Sequence, residues 1–376
     1  MEKYALFFPQ FDNNPINNDA WGAYFNDWIL VGYANAFYLW KQRRAPLKGF
    51  YDLRNNENIE KIFKEATKYN LNGFGIYHYY FNGLNILNNV ENYIANINNE
   101  KINFFLIYAN EHWTKRWINK YDIVLNIDPN PKFNEIDKHV QYLVKFMNKN
   151  EYKKINGKPI FVFYRLDIYE NPENVLSIYR DAFNKYNINP MFGLFIKHPS
   201  EIKYCKYIDF VYLFEPRLFF NFNGIRSNNI LFSIVGKFIK LKKVKLIERL
   251  SNIFNKYTLQ GKEYHYNSYL KYLKSEKRND FIEKIIRFHN CLVQDVLSVG
   301  WNNAPRYGKR FTSLQLPSET EFKNALEITY NNQHLSKELP LLVNAWNEWS
   351  EGAAIEPCYY LGDKYLKIYT GLEYNE

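Results

Sequence analysis

Apolar residues recur along the chain in short, near-continuous runs rather than in strict alternation with polar ones. Eight can be marked: YALFFPQF (4–11), GFGIYHYYF (73–81), INFFLIYANEHW (102–113), PIFVFYRL (159–166), MFGLFIKH (191–198), DFVYLFEP (209–216), CLVQDVLSVGW (291–301) and LPLLVNAWNEW (339–349). Runs of this length, rich in aromatic and branched residues, read as strands buried on both faces, as in a parallel sheet. Between several of them the apolar spacing turns helical: Ile59, Ile62, Phe63, Ala66 and Tyr69 share one helix face, as do Ile136, Val140, Leu143, Val144 and Met147. Eight strand–helix units predict an α/β fold, a (β/α)8 TIM-type barrel, with an open doubly wound sheet as the alternative. The chain is expected to be one domain over residues 1–376, carrying a mainly helical insertion at 218–290 between the sixth and seventh strands.

Polar and aromatic residues gather where these runs end: Gln10, His78 and Tyr79, Asn110, Glu111 and Trp113, Tyr164, Glu215, Trp301 and Asn302, and Asn347 to Glu351. In a parallel barrel all these ends open on one face, where barrel enzymes build their sites. The eight tryptophans (Trp21, Trp28, Trp40, Trp113, Trp117, Trp301, Trp346 and Trp349) follow the first, third, seventh and eighth strands, and none falls in an expected helix. Such a rim suits a sugar, whose C–H face packs on an aromatic ring while its hydroxyls take hydrogen bonds. Trp28, Trp349 and Arg306 complete the expected substrate-binding set; for any one tryptophan, a place in the core at the barrel top is the competing reading.

The stretch NAWNEWSEG (344–352) sets Glu348 and Glu351 three residues apart among tryptophans. Two carboxyls held close cannot both ionise freely, so one becomes a proton donor and the other a base, the division of labour that glycosidic chemistry uses. On a turn, an i, i+3 pair has Cβ atoms roughly 5–6 Å apart, which favours a retaining arrangement. Glu111 and Glu215 are further strand-end carboxylates able to replace one member. His78 and His112 read as hydrogen-bonding groups; no His-Glu-x-x-His occurs, so no metal is expected. Asp-x-Asp, Gly-x-x-x-x-Gly-Lys, Gly-x-Ser-x-Gly and a complete Gly-x-Gly-x-x-Gly are also missing, so no cofactor is expected.

The formal net charge of +10 raises the question of a polyanionic partner, but Lys and Arg are mostly dispersed, and nucleic acid is not expected. GKFIKLKKVKLIERL (236–250) is the exception: a basic helix against an anionic membrane surface, or a solvated helix on the barrel. Cys205, Cys291 and Cys358 form neither a disulfide framework nor a zinc site. With no secretory signal at the N-terminus and no apolar run of about 18 residues, a cytoplasmic protein is expected, peripheral at the inner membrane face if the basic segment binds lipid.

FPQF, WGAYFNDW, YDLR, GFGIYHYYFNG, ANEHWTKRW, GWNNAPR and WNEWSEGAAIEP resemble, in the same order and across nearly the whole chain, the motifs of the WbsX-like proteins, relatives of glycoside hydrolase family 99, the endo-α-mannosidases. The resemblance implies a metal-free (β/α)8 barrel. It implies Glu348 as base on the sugar's own 2-hydroxyl, giving a 1,2-anhydro sugar, and Glu351 as acid on the leaving oxygen, with the roles then reversed. It also implies a glycosyltransferase of lipopolysaccharide O-antigen or capsule synthesis, acting on a glycan or lipid-linked glycan with a sugar donor. A family 99-like hydrolase and a non-catalytic glycan-binding barrel are the alternatives. Asp12 stands where relatives carry His, Asn302 where they carry Asp, and Asp27 where they carry Glu.

Overall fold

The computed structural model describes residues 1–36, 44–97, 102–114, 122–222, 261–308 and 311–372. Eight parallel strands form its centre: β1 (Lys3–Phe7), β2 (Gly73–Phe81), β3 (Asn103–Tyr108), β4 (Lys158–Phe163), β5 (Met191–Ile196), β6 (Phe210–Phe214), β7 (Leu292–Ser298) and β8 (Leu341–Asn344). Each pairs with the next, and β1 pairs with both β8 (Tyr4↔Leu342) and β2 (Ala5↔Phe74), which closes the ring. Closure rules out the open sheet. The (β/α)8 barrel predicted from the eight apolar runs is the fold.

Helices cover the outside, among them Asn56–Lys68, Phe133–Met147, Pro172–Asn184, Glu276–His289 and Glu319–Asn331. Their apolar faces point inward as the spacing predicts, with Ile59, Ile62, Phe63 and Ala66 buried on the first, and Ile136, Val140, Leu143 and Met147 on the second. Along each strand, alternate residues face the helices and the barrel interior. Phe104 meets Phe146 and Phe161 meets Phe183 on the outside, with ring centroids 6.5 and 6.3 Å apart. Tyr4, Phe105 and Tyr212 meet within, at 6.0 and 6.4 Å. Rings this large need small neighbours: a Cβ at Gly193 would lie 2.2 Å from the Phe210 ring.

Of the expected insertion at 218–290, residues 223–260 lie outside the described residues, the basic 236–250 segment included. The rest forms most of helix Arg217–Phe222, a short strand Lys262–Tyr264, and helices Tyr266–Leu273 and Glu276–His289. The last of these is an outer barrel helix, anchored through a buried Arg278–Asp295 ion pair. Two tryptophans depart from expectation, for Trp21 ends helix Pro15–Trp21 and Trp28 sits in helix Asp27–Ala36. Trp40 and Trp117 lie outside the described residues. The three cysteines are buried and free. Among the described residues no helix is long and apolar enough to cross a membrane.

Candidate active site

A cavity of about 430 Å³ opens at the C-terminal ends of the strands, within the range of small-molecule sites. Its inner wall is the continuation of the inward-facing columns of the barrel. Leu6 leads to Phe8 and Gln10, Gly75 to Tyr77 and Tyr79, Ile107 to Ala109 and Glu111, Val162 to Tyr164, Tyr212 to Phe214, and Leu342 to Asn344. Trp21, Trp113, Trp301 and Tyr307 add rings from short elements that follow the strands, and Arg165, Arg217 and Arg306 add guanidiniums.

Glu348 and Glu351 both line this cavity. The chain reaches them through Asn347, whose side chain accepts from Phe8 N (2.8 Å) and donates to Phe8 O (2.9 Å), stitching the end of β8 to the end of β1. A short 3-10 turn, Trp349–Glu351, then closes at Gly352 in the left-handed region (φ 62°). A Cβ there would lie 2.8 Å from the Arg44 guanidinium, so the turn needs glycine twice over.

Glu351 is held at both oxygens: Arg306 Nη1 donates to Oε1 (2.5 Å) and Trp301 Nε1 to Oε2 (2.6 Å). Arg306 also donates to Ser350 Oγ (3.0 Å) and to Asp27 Oδ1 (3.4 Å), while Asp27 accepts from the Ser350 hydroxyl (2.6 Å) and amide (3.1 Å). Glu348 is treated differently. Arg306 Nη2 stands 3.5 Å from its Oε2, yet that buried oxygen takes no hydrogen bond. Burial, and then the charge of Glu351, push the Glu348 carboxyl well above its ordinary range, with Arg306 opposing. Burial works against the charge of Arg306, but Glu351, Glu348 and Asp27 outweigh it and keep the guanidinium cationic. The two carboxyls are therefore unequal: Glu348 is pushed towards its protonated form, and Glu351 is held by Arg306 and Trp301.

Of the other residues marked in the sequence as substrate-binding, Gln10, Tyr79, Glu111, Trp113, Tyr164, Trp301 and Arg306 line the cavity, and seven do not. His78 is one strand position from Tyr79 and so faces the helices: Nδ1 lies 2.9 Å from Glu91 Oε1, and Nε2 lies 2.8 Å from His139 Nε2, whose Nδ1 meets the Tyr179 hydroxyl at 2.8 Å. Every bond in this chain is satisfied with neutral imidazoles when His78 donates to Glu91 and His139 donates to His78. Burial, and then His78, hold His139 well below the ordinary histidine range.

Asn110 fails for the same reason of parity and ties down the Arg165 backbone instead (2.6 and 2.9 Å). Glu215, beside Phe214, turns away from the cavity and accepts from Phe219 N (2.9 Å). Trp28 packs on Phe11 and Tyr51 and donates to Tyr51 O (2.7 Å), and Trp349 is buried with its indole on Glu356 (2.8 Å). Asn302 accepts from Ala304 N (2.9 Å), a turn contact that its amide oxygen makes as well as a carboxylate would. Asn347 is the stitch described above.

Tyr77 was missed, although its parity with Tyr79 was available in the sequence. Asp27 was noted only as a departure. Its link to Arg306 crosses 279 residues, and nothing local announces it. Among the described residues, no three His, Cys, Asp or Glu side chains converge as a metal site requires.

The chain is similar to the uncharacterized protein WxcX of two strains of Xanthomonas campestris pv. campestris, at 23% identity over 374 residues and 24% over 375. Both alignments cover 96% of this chain and 48% of the relative, so the chain spans about half the length of the curated relatives it matches. Among solved structures it is similar to a glycoside hydrolase-like protein (TM-score 0.57, 14% identity, 98% of this chain and 93% of the other). A GH99 endo-alpha-mannosidase from Bacteroides thetaiotaomicron is comparable (TM-score 0.55, 13% identity, 98% and 95%). At these identities the likeness is one of fold. The family model described as glycosyltransferase WbsX matches residues 3–369, nearly the whole barrel, and the chain belongs to that family of carbohydrate-active enzymes.

Proposed function

We propose that the protein acts at a glycosidic bond through Glu348 and Glu351, and that it transfers a sugar during assembly of a surface polysaccharide of the O-antigen or capsule type. The observation that carries the reading is the unequal pair. Two carboxyls share one aromatic cavity, one buried with an unpartnered oxygen, the other fixed by Arg306 and Trp301. One carboxyl gives its proton to the leaving oxygen. The other takes the proton of the sugar's 2-hydroxyl, whose oxygen closes on the anomeric carbon as the glycosidic bond breaks. An acceptor hydroxyl then opens the 1,2-anhydro sugar with the proton movements reversed, and no cofactor enters.

Transfer is favoured by the family description, hydrolysis by the fold shared with the endo-mannosidase. Both use the same two carboxyls and differ in what opens the intermediate. The substrate is a glycan or lipid-linked glycan with a sugar donor, met at the cytoplasmic face of the membrane. The resemblance gives Glu348 the base role, whereas burial pushes it towards its protonated form, so the two orders of roles make different predictions.

Purified protein incubated with lipid-linked glycans of the source cell and a nucleotide-sugar mixture is expected to add one sugar mass, read by mass spectrometry. A loss of mass instead makes it a hydrolase. Glu348→Gln and Glu351→Gln are each expected to lower turnover by at least ~100-fold. A substrate whose leaving group needs no proton rescues only the variant that lacks the acid, which fixes the order of roles. Two fully active variants overturn the assignment.

A further inference from the structure

Three arginines face the cavity, and two are committed within the protein. Arg306 is held by Asp27, Ser350 and Glu351. Arg165 grips both oxygens of Asp167 (2.9 and 2.6 Å) and reaches Glu111 at 3.5 Å. Arg217, two residues past Glu215 at the end of β6, pairs with no carboxylate among the described residues, and none of its five N–H donors has an acceptor there. Its contact is a ring: the guanidinium carbon lies 5.5 Å from the centroid of Trp301.

The position is not accidental surface. Arg217 is exposed, and it lines the cavity beside Trp301. Burial works against its charge, but Tyr164, Glu351, Glu111 and Tyr307 outweigh it and keep it cationic. On the cavity wall, a planar, two-pronged cation without a partner among the described residues is complementary to an oxyanion brought by a ligand. Trp301, whose ring it faces, donates to Glu351 (2.6 Å). An anion bound at Arg217 therefore lies one side chain from the acid–base pair.

We infer that Arg217 reads an oxyanion, a carboxylate or a phosphoryl group, on the sugar bound beside Glu351, which makes the substrate class an acidic rather than a neutral glycan. The inference rests on the proposed chemistry at Glu348 and Glu351 for its meaning, but its test does not use turnover. Neutral sugars satisfy the aromatic wall equally well and leave the Arg217 charge uncompensated. An acidic sugar supplies both the apolar face and the counter-charge.

The quenching of tryptophan fluorescence by methyl glucuronide, glucose 1-phosphate and methyl glucoside measures the preference directly, with Trp301 next to the site. The full chain is expected to bind at least one anionic probe ~10-fold or more tightly than methyl glucoside, the scale of a charge-assisted hydrogen-bonded pair. Glucuronide winning assigns a sugar carboxylate; glucose 1-phosphate winning assigns a phosphoryl group.

Arg217→Gln is expected to bring the probes within about twofold of one another, and Glu348→Gln to leave the preference in place. Arg217→Lys, which keeps the charge without the fork, retains part of it and shows that the fold has survived. No preference in the unaltered protein, whether all probes bind or none, overturns the inference. So does a preference that persists in Arg217→Gln. Fully active Glu348 and Glu351 variants alongside an intact anion preference would sink the glycosidic reading and leave the anion site standing.

Discussion

Arg306 holds Ser350, Glu351 and Asp27 at once and stands 3.5 Å from Glu348, an arrangement that uses the whole guanidinium fork. A lysine has one nitrogen and cannot span them. Arg306→Lys keeps the positive charge and loses the geometry, so turnover is expected to fall by ~10-fold or more while binding of a neutral sugar changes little. Arg306 also opposes the rise of the Glu348 carboxyl, so with the fork gone that carboxyl should move further up and its limb of the pH–rate profile should shift to higher pH. A variant with an unchanged profile would show that the fork serves the fold and not the pair. The carboxyls were legible because they are neighbours in sequence among tryptophans; their keeper was marked only as a sugar contact, because Asp27 is distant along the chain. His78 beside Tyr79 teaches a related lesson. The run YHYY marks a strand end but does not say which parity faces inward, and a period of two puts only one of any two adjacent side chains in the cavity.

All eight strands were readable because burial on both faces leaves an uninterrupted apolar run. Their ends were not. The run 102–113 extends past β3, which stops at Tyr108, because the rim residues are as aromatic as the strand itself. Packing inside the barrel was also hidden, since a glycine in a strand says nothing of the ring it makes room for. Gly193 and Phe210 face each other across β5 and β6, paired residue to residue. Gly193→Ala puts a methyl 2.2 Å from that ring, and Phe210 is fully buried with nowhere to move. The expected cost is about 1–3 kcal/mol, the range of overpacked cores. It should appear as a lower urea midpoint with an unchanged slope, with activity retained below the transition because the cavity lies at the other end of the strands. An unaltered midpoint would mean that the barrel interior yields more readily than its packing implies.

Over the whole molecule, the buried acids and the buried histidine pull stability in opposite directions with pH. Burial raises the Glu215 and Glu356 carboxyls from an ordinary 4.5 to about 8. In the folded state they keep their protons where the unfolded chain has released its own. The stability they contribute is full below pH 4.5, declines as pH rises, and is gone above about 8. His139 works the other way. Burial, then His78, hold it well below 6.5, so the unfolded chain takes up a proton that the folded one refuses, and stability falls as pH drops under 6.5. Above 6.5 the histidine is neutral in both states and only the acids act. Between pH 6.5 and 8 the thermal midpoint should therefore fall as pH rises, at a slope of up to about 1.4 kcal/mol per pH unit for each carboxyl. Glu215→Gln with Glu356→Gln keeps an acceptor oxygen for Phe219 N, Trp349 and Tyr51 and removes the titration, so the slope should flatten. Glu348, raised by burial and by Glu351, and the buried Asp27 and Asp295, each raised by burial, contribute to the slope that remains. It should flatten further when Glu348→Gln is added. A midpoint that rises across this interval would mean that these carboxyls are ionised in the fold, and with them the unequal pair on which the proposed chemistry rests.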